Sequence, residues 1–419
     1  MSKFVITGGK SLRGEVKVSG AKNAVLPIMA ASVMADSVCV LHNAPDLMDV
    51  RTMAEILRGL GVKVERTGSE GKTLYIDPTN MQGWIVDEML MRQVRSSIFL
   101  MGPLLAKTGK ARVSYPGGCD IGQRPIDLHL KGLKALGATF EEAHGHITAE
   151  AKDWSGIDIH LDMPSVGATE NIMMGATMAE GVTVIRNAAK EPEIVDLQGF
   201  LNAMGAKVRG AGTDVIRIEG VESLKGAEHF VMPDRIEVGT FMVSAAITAG
   251  EVYVANAIAE HVQAITSKLR EVGTTVATLS KGILVTGSQR CKPTDLKTLP
   301  YPGFPTDMQP QMMALLSVAE GTSVISETIF ESRFKQAEEL GRMGAKIRTE
   351  GRTAIIKGVP RLSGAIVEAS DLRSGASLVL AGLCAEGRTV VSGIRNLDRG
   401  YENFESKLAS LGAYIKRQN

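Results

Sequence analysis

Three stretches of this sequence, and three arginines in its last third, place reactive or charged residues where packing gives no reason for them. In RVSYPGGCDIGQRPIDLHLKGL (112–133), Pro116, Gly117 and Gly118 dictate a loop with Cys119 at its tip, and an aspartate and Arg124 follow within five residues. A free cysteine is ordinarily a small buried hydrophobe. Cys39, Cys291 and Cys384 fall in or near strand and helix patterns and fit that role, whereas Cys119 does not. In YPGFPTDMQPQ (301–311), the prolines force extended backbone before them and the loop presents Asp307, either to a ligand or as a cap on the following helix. In SGAKNAVLP (19–27), Lys22 and Asn23 open an apolar helix. A lysine there adds a point charge to exposed backbone N–H groups, which suits an anion; on its own it reads more readily as a solvated surface charge. Arg333 in FESRF, Arg373 in SDLRSGAS and Arg399 in LDRGYE each fall where a strand hands over to the next helix. Guanidinium forks match carboxylate and phosphate, so three that converge would hold a small, densely anionic substrate.

The elements that must position these residues repeat. A helical segment ending in glycine, then a short strand, recurs as ILRGLGVKV (56–64), LKALGATF (133–140), LNAMGAKV (201–208), LREVGTTV (269–276), LGRMGAKI (340–347) and LASLGAYI (408–415). Their glycines, Gly61, Gly137, Gly205, Gly273, Gly344 and Gly412, stand 76, 68, 68, 71 and 68 residues apart. Glycine after an i, i+3, i+4 apolar pattern is a helix C-cap. Interleaved with these is a small-residue helix followed by an alternating strand, as in ATMAEGVTVIRNA (176–188) and AITAGEVYVANA (246–257). Alternation of this kind marks a strand with one buried face. The pattern predicts six small α/β units, each too large for a solenoid repeat.

Bulk composition excludes several classes. A chain of 419 residues exceeds one ordinary core and predicts two domains. Lys+Arg 47 against Asp+Glu 46 gives a net charge of +1, and aromatics are 4%. Neither a global field for nucleic acid nor a base-stacking platform follows from that balance. No apolar run reaches bilayer length, and the N-terminal stretch lacks the features of a signal peptide, so the expected location is the cytoplasm without membrane insertion. The cysteines show no metal spacing, and the lone HxH at His144 and His146 reads as an exposed strand or turn.

Taken together, the motifs resemble the UDP-N-acetylglucosamine enolpyruvyl transferase family, over essentially the whole chain. The landmarks are GAKNA (20–24), PGGCDIGQRPIDLH (116–129), SVGATEN (165–171), NAAKEPEIVD (187–196), GFPTDMQ (303–309), FESRF (330–334) and NLDRGYE (396–402). The resemblance implies an EPSP synthase-like fold: two inside-out α/β barrel-like domains of three repeated units each. Residues 1–21 and 233–419 would form one, 22–232 the other, with the active site in the cleft between them. It implies that Lys22, Arg124 and Arg399 hold the phosphate of phosphoenolpyruvate and that Arg333 and Arg373 hold its carboxylate, with Asn23 beside them. Asn23, Arg95, Arg124, Pro125, Ile126, Asp127, Leu128, Ser165, Gly167, Asp307 and Ile329 would line the UDP-sugar site. Met163-Pro164 precedes Ser165 where some members carry a lysine, which removes one basic contact to the nucleotide.

The implied reaction is the first committed step of peptidoglycan synthesis, with Cys119 as proton donor, Asp307 as acceptor and Lys22 as a third catalytic residue. Arginine near Cys119 favours its thiolate, which also makes it the expected target of an epoxide phosphonate such as fosfomycin. No metal, organic cofactor or obligate protein partner is called for. Two alternatives stand beside this reading: the sister 5-enolpyruvylshikimate-3-phosphate synthase, which usually has Lys-Ser at the position of Lys22-Asn23, and an inactive paralogue that binds UDP-sugar.

Overall fold

The computed structural model describes residues 2–68, 71–115 and 126–418. Gly61, Gly137, Gly205, Gly273, Gly344 and Gly412 each follow a helix, respectively Met48–Gly59, Asp127–Ala135, Pro192–Ala203, Gln263–Glu271, Gln336–Arg342 and Phe404–Ser410. All six glycines have φ between +90° and +111°. At Gly205 the chain turns out of its helix as Gly205 N–H donates to Asn202 O and Ala206 N–H to Leu201 O, both at 3.0 Å. Those bonds satisfy carbonyls that a helix end leaves open. These helices are amphipathic; in Gln263–Glu271 only Ile265 and Leu269 are buried.

The small-residue helices behave differently. Arg235–Ile247, Gln309–Leu316 and Leu372–Cys384 pack on one another as the centre of one core, and every residue of Arg235–Ile247 is buried. Helices Lys22–Ala31, Met101–Thr108 and Val166–Ala176 occupy the corresponding place in the second core. A helix apolar on all sides has to be enclosed, and close approach needs small side chains. A Cβ on Gly102 would stand 2.3 Å from the Asn171 carbonyl oxygen, and one on Gly239 2.9 Å from the Met308 sulfur.

Among the described residues, six sheets surround these helices. Five have four strands in the same order: a short edge strand parallel to a central strand, then two antiparallel strands. In one, Asp158–His160 runs parallel to Val182–Arg186 with Ile159 opposite Ile185, and Val215–Glu219 and Lys207–Arg209 follow antiparallel. In the three-stranded sheet, an isolated parallel bridge between Ile85 and Arg112 stands where the edge strand would be. Burial alternates along the strands, as in Val182–Arg186, so one face of each sheet meets the helices and the other meets solvent. The helices lie inside and the sheets outside.

The chain forms two compact units, one from residues 2–19 and 233–418 and the other from 20–115 and 126–232. At both crossings the parallel strand stays behind while the helix after it moves on. Arg13–Lys17 pairs with Glu251–Ala255, although the helix that follows it is Lys22–Ala31. Glu228–Phe230 pairs with Cys39–His42, although the helix that follows it is Arg235–Ile247. A buried polar clasp fixes the first exit. Ser19 N–H donates to Glu237 at 2.7 Å, its hydroxyl donates to Glu402 at 2.5 Å, and Lys407 donates to Glu237 at 2.5 Å.

The capping glycines differ in their surroundings. A Cβ on Gly205 meets nothing within 4 Å, whereas on Gly137 it meets the Asp153 carbonyl oxygen at 2.1 Å. Gly205→Ala should therefore cost only the left-handed conformation, about 1–2 kcal/mol. Gly137→Ala must also displace backbone and should cost more. Urea unfolding of the two variants checks the order, and equal losses would contradict it.

Candidate active site

In the unit that contains the C-terminal half of the chain, three of the sequence-identified residues meet. Arg333 lies in the loop between strand Thr322–Ser326 and helix Gln336–Arg342, and Arg373 in the first turn of Leu372–Cys384. The turn Thr306–Met308 carries Asp307. Arg333 Nη2 donates to Asp307 Oδ1 at 2.8 Å, while Arg373 Nε and Nη2 donate to Oδ2 at 3.2 and 3.0 Å. The arginines are 4% and 3% exposed. Arg333 Nε and Arg373 Nη1 are buried with no hydrogen-bond partner among the described residues. Burial alone would raise the Asp307 carboxyl; the charges of Arg373 and Arg333 outweigh it and hold the group well below the usual carboxylate range. Two buried guanidinium groups stand against one carboxylate with donors to spare, an arrangement whose charge and geometry suit a further anion.

Glu327, 1% exposed, ties the two loops of this site together. Its Oε1 accepts from Thr298 Oγ1 at 2.8 Å and from the N–H groups of Ile329 and Phe330 at 2.9 and 3.2 Å; Oε2 accepts from Thr306 Oγ1 at 2.9 Å. Ile329 is thus held by its backbone, Asp307 follows a pinned residue, and Arg333 is braced over the Phe330 ring at 5.2 Å. Asp371 accepts from the N–H groups of Arg373 and Ser374 at 2.9 and 3.1 Å and so caps the helix that carries Arg373.

One alternative falls away here and one expectation needs correction. Asp307 caps no helix: the cap position of Gln309–Leu316 is Met308 without a side-chain bond, and the Asp307 carboxylate is taken by the arginines. The late arginines are not at three equivalent positions. Arg333 and Arg399 lie between a strand and a glycine-capped helix, but Arg373 is already inside a small-residue helix, which Asp371 caps. Arg399 ends the turn Ile394–Arg399 and is half-buried.

In the other unit, Lys22 is the first residue of its helix and its Nζ lies 2.5 Å from Asp49 Oδ2. Asn23 beside it is exposed, and Arg95 opens the turn Arg95–Leu100 half-buried. Ser165 caps helix Val166–Ala176, its hydroxyl accepting from Ala168 N–H at 3.3 Å. A Cβ on Gly167 would come 3.1 Å from the His129 ring. That ring is bonded to Asn171 at 3.1 Å, and Asn171 reaches Ile98 O and Gly102 N–H at 2.9 and 2.7 Å. These bonds hold the start of Asp127–Ala135, with Ile126 and Leu128 buried and Asp127 exposed, against the start of Val166–Ala176. Cys119, Arg124 and Pro125 lie outside the described residues. Burial pushes up the thiols of Cys39 and Cys291, and that of Cys384 to about 12, so these three are poor nucleophiles near neutrality.

Sequence reasoning missed Asp49, Glu170 and Glu327. Asp49 reads as an ordinary acid in the first turn of an amphipathic helix. Glu170 did leave a signal, a lone charge inside the apolar run ATENIMMGA. It is 1% exposed, and neither carboxylate oxygen has a partner among the described residues. Burial, then the charges of Glu193 and Glu191, push its carboxyl well above the ordinary range. The folded state thus holds this proton more tightly than the unfolded chain, whose value is about 4.3. The associated stability is full below that value and is lost as pH rises through the folded one. Glu170→Gln should gain thermal stability over the parent protein as pH is raised from about 5 to about 8. A difference in melting temperature that stays flat across that range would contradict the assignment.

The family profile of EPSP synthase (3-phosphoshikimate 1-carboxyvinyltransferase) matches residues 6–408. The chain belongs to this family. It is 59% identical over 418 residues to UDP-N-acetylglucosamine 1-carboxyvinyltransferase 1 of Symbiobacterium thermophilum, covering 99% of this chain and 95% of that one. It is 56% identical over 419 residues to UDP-N-acetylglucosamine 1-carboxyvinyltransferase 1 of Carboxydothermus hydrogenoformans, covering 100% and 99%. Among solved structures, the enolpyruvyl transferase NikO from Streptomyces tendae shares the fold, with TM-score 0.91 at 24% identity over 100% of this chain and 99% of that one. EPSP synthase from Acinetobacter baumannii shares it with TM-score 0.78 at 20% identity over the whole of both chains. The expected inside-out α/β architecture is the one observed. Among the described residues, no helix is long and apolar enough to cross a membrane.

Proposed function

We propose that this protein transfers the enolpyruvyl group of phosphoenolpyruvate to the 3′-hydroxyl of UDP-N-acetylglucosamine and releases inorganic phosphate. The observation that carries the reading is identity above one half, along the full length, with relatives named for that transfer. A buried arginine pair with unpartnered donors supports it, because the donor substrate brings a carboxylate and a phosphate. The family profile bears the name of the 3-phosphoshikimate reaction, but Asn23 after Lys22 departs from the Lys-Ser usual in that sister group.

On this reading the reaction is an addition followed by an elimination. A proton added to the methylene carbon of phosphoenolpyruvate leaves C2 cationic, and the sugar oxygen bonds to C2 as it gives up its own proton. A proton then leaves the new methyl group, its electron pair restores the double bond, and phosphate departs from C2. Cys119 supplies the first proton and Asp307 accepts that of the hydroxyl. Lys22, Arg124 and Arg399 take the phosphate, and Arg333 and Arg373 the carboxylate. Asn23, Arg95, the stretch 124–128, Ser165, Gly167 and Ile329 receive the UDP-sugar. The product belongs to peptidoglycan synthesis in the cytoplasm, and alkylation of Cys119 by fosfomycin follows from the same assignment.

Phosphate release from phosphoenolpyruvate tests the reading. It should depend on UDP-N-acetylglucosamine and not respond to shikimate 3-phosphate. Arg373→Ala should weaken phosphoenolpyruvate binding by about 2–5 kcal/mol, the cost of truncating one partner of a buried charge pair, and should leave the UDP-sugar nearly unaffected. Release with shikimate 3-phosphate alone, or equal weakening of both ligands, would contradict it.

A further inference from the structure

The motif NLDRGYE contributes Arg399 to the proposed chemistry, while its tyrosine, two residues on, has no role there. Tyr401 is 2% exposed. Its ring lies 5.3 Å from the Arg373 guanidinium carbon and stacks on Phe404 at 4.6 Å with 30° between planes. Phe404 in turn meets Phe241 edge to face at 5.9 Å. The Tyr401 hydroxyl is 2.9 Å from Thr240 Oγ1 and accepts from Gln311 Nε2 at 3.2 Å. Thr240, Gln311 and Arg373 belong to Arg235–Ile247, Gln309–Leu316 and Leu372–Cys384. One side chain therefore touches all three central helices of its unit. Its backbone N–H donates to Leu397 O at 2.9 Å and closes the turn that carries Arg399.

Filling this space requires only a ring, which phenylalanine would supply without a hydroxyl to desolvate. The hydroxyl brings a polar network into the core, and that network is imperfect, since Gln311 Oε1 is buried without a partner among the described residues. Burial pushes the Tyr401 hydroxyl up, against the pull of Arg373, so the group stays neutral and able to donate. An oriented ring and a bonded hydroxyl together leave Tyr401 one placement, and Arg373 packs against it. A guanidinium over an aromatic face gains from cation–π attraction and loses freedom of rotation.

We propose that Tyr401 is a positioning residue for the anion-binding arginines: it fixes the Arg373 guanidinium and joins it to the turn that carries Arg399, so that the acidic donor substrate meets both in one set geometry. The inference rests on the enolpyruvyl-transfer reading. It predicts that the tyrosine acts on the donor substrate alone and does so through Arg373.

Steady-state kinetics of Tyr401→Phe, Tyr401→Leu, Arg373→Lys and the Tyr401→Phe/Arg373→Lys double variant test this. Tyr401→Phe keeps the ring and loses its anchors, so KM for phosphoenolpyruvate should rise roughly fivefold while KM for UDP-N-acetylglucosamine stays unchanged. Tyr401→Leu also loses the aromatic face and should raise the same KM roughly tenfold or more. Once Arg373 is lysine, Tyr401→Phe should add little, because the two changes remove the same interaction. A lower melting temperature with an unchanged KM for phosphoenolpyruvate in Tyr401→Phe, or full additivity in the double variant, would overturn the proposal. If Tyr401→Leu does not fold, Tyr401→Phe decides alone. A parent protein that releases no phosphate with UDP-N-acetylglucosamine would overturn the transfer reading and this inference with it.

Discussion

Arg333 and Arg373 are buried, and a buried cation is tolerable only beside an anion. Taking a guanidinium out of water costs several kcal/mol after relaxation, and here two of them stand within hydrogen-bond distance of the single carboxylate of Asp307. Much of the surrounding structure serves that arrangement. Glu327 pins the loops that carry Asp307 and Arg333, Asp371 sets the start of the helix that carries Arg373, and Tyr401 lies against the Arg373 guanidinium. Asp307 is a poor base while both arginines hold it. An anion that shared them would return it toward ordinary basicity.

The architecture decides which side chains can be brought to such a place. With helices inside and sheets outside, the central helices are enclosed along their length, and cations of the candidate site lie at their ends. Lys22, Arg235 and Arg373 all lie in the first turn of central helices. A cation there opposes the helix dipole, which favours anions at this end. Local rules broken at corresponding places are what a functional site looks like in an otherwise consistent fold.

Much of this was legible in the sequence because it rests on short-range rules. The six capping glycines announced themselves through φ > 0 at the end of a periodic apolar segment, and the small-residue helices through the close packing they permit. Lys22 and Asp307 stood out because an abrupt helix start, or a loop built from glycine and proline, has no packing use for them. What stayed hidden depends on distance through space. Nothing local says that Asp307 gives up a cap for two arginines 26 and 66 residues away, that Lys22 pairs with Asp49, or that Glu170 is enclosed near other acids. The equivalence assumed for the three late arginines failed because Arg373 opens a small-residue helix, whereas Arg333 and Arg399 precede glycine-capped ones.

The central claim is that the arginine pair is an anion site held open, in the free protein, by the carboxylate of Asp307. Thermal unfolding of Asp307→Asn with and without phosphoenolpyruvate tests this most directly. Removing the charge should destabilise the protein by about 3–5 kcal/mol, as expected when a buried pair loses one partner. Phosphoenolpyruvate should then restore part of that loss, raising the melting temperature of Asp307→Asn more than that of the parent protein. An equal shift in both proteins, or none in the variant, would contradict the account.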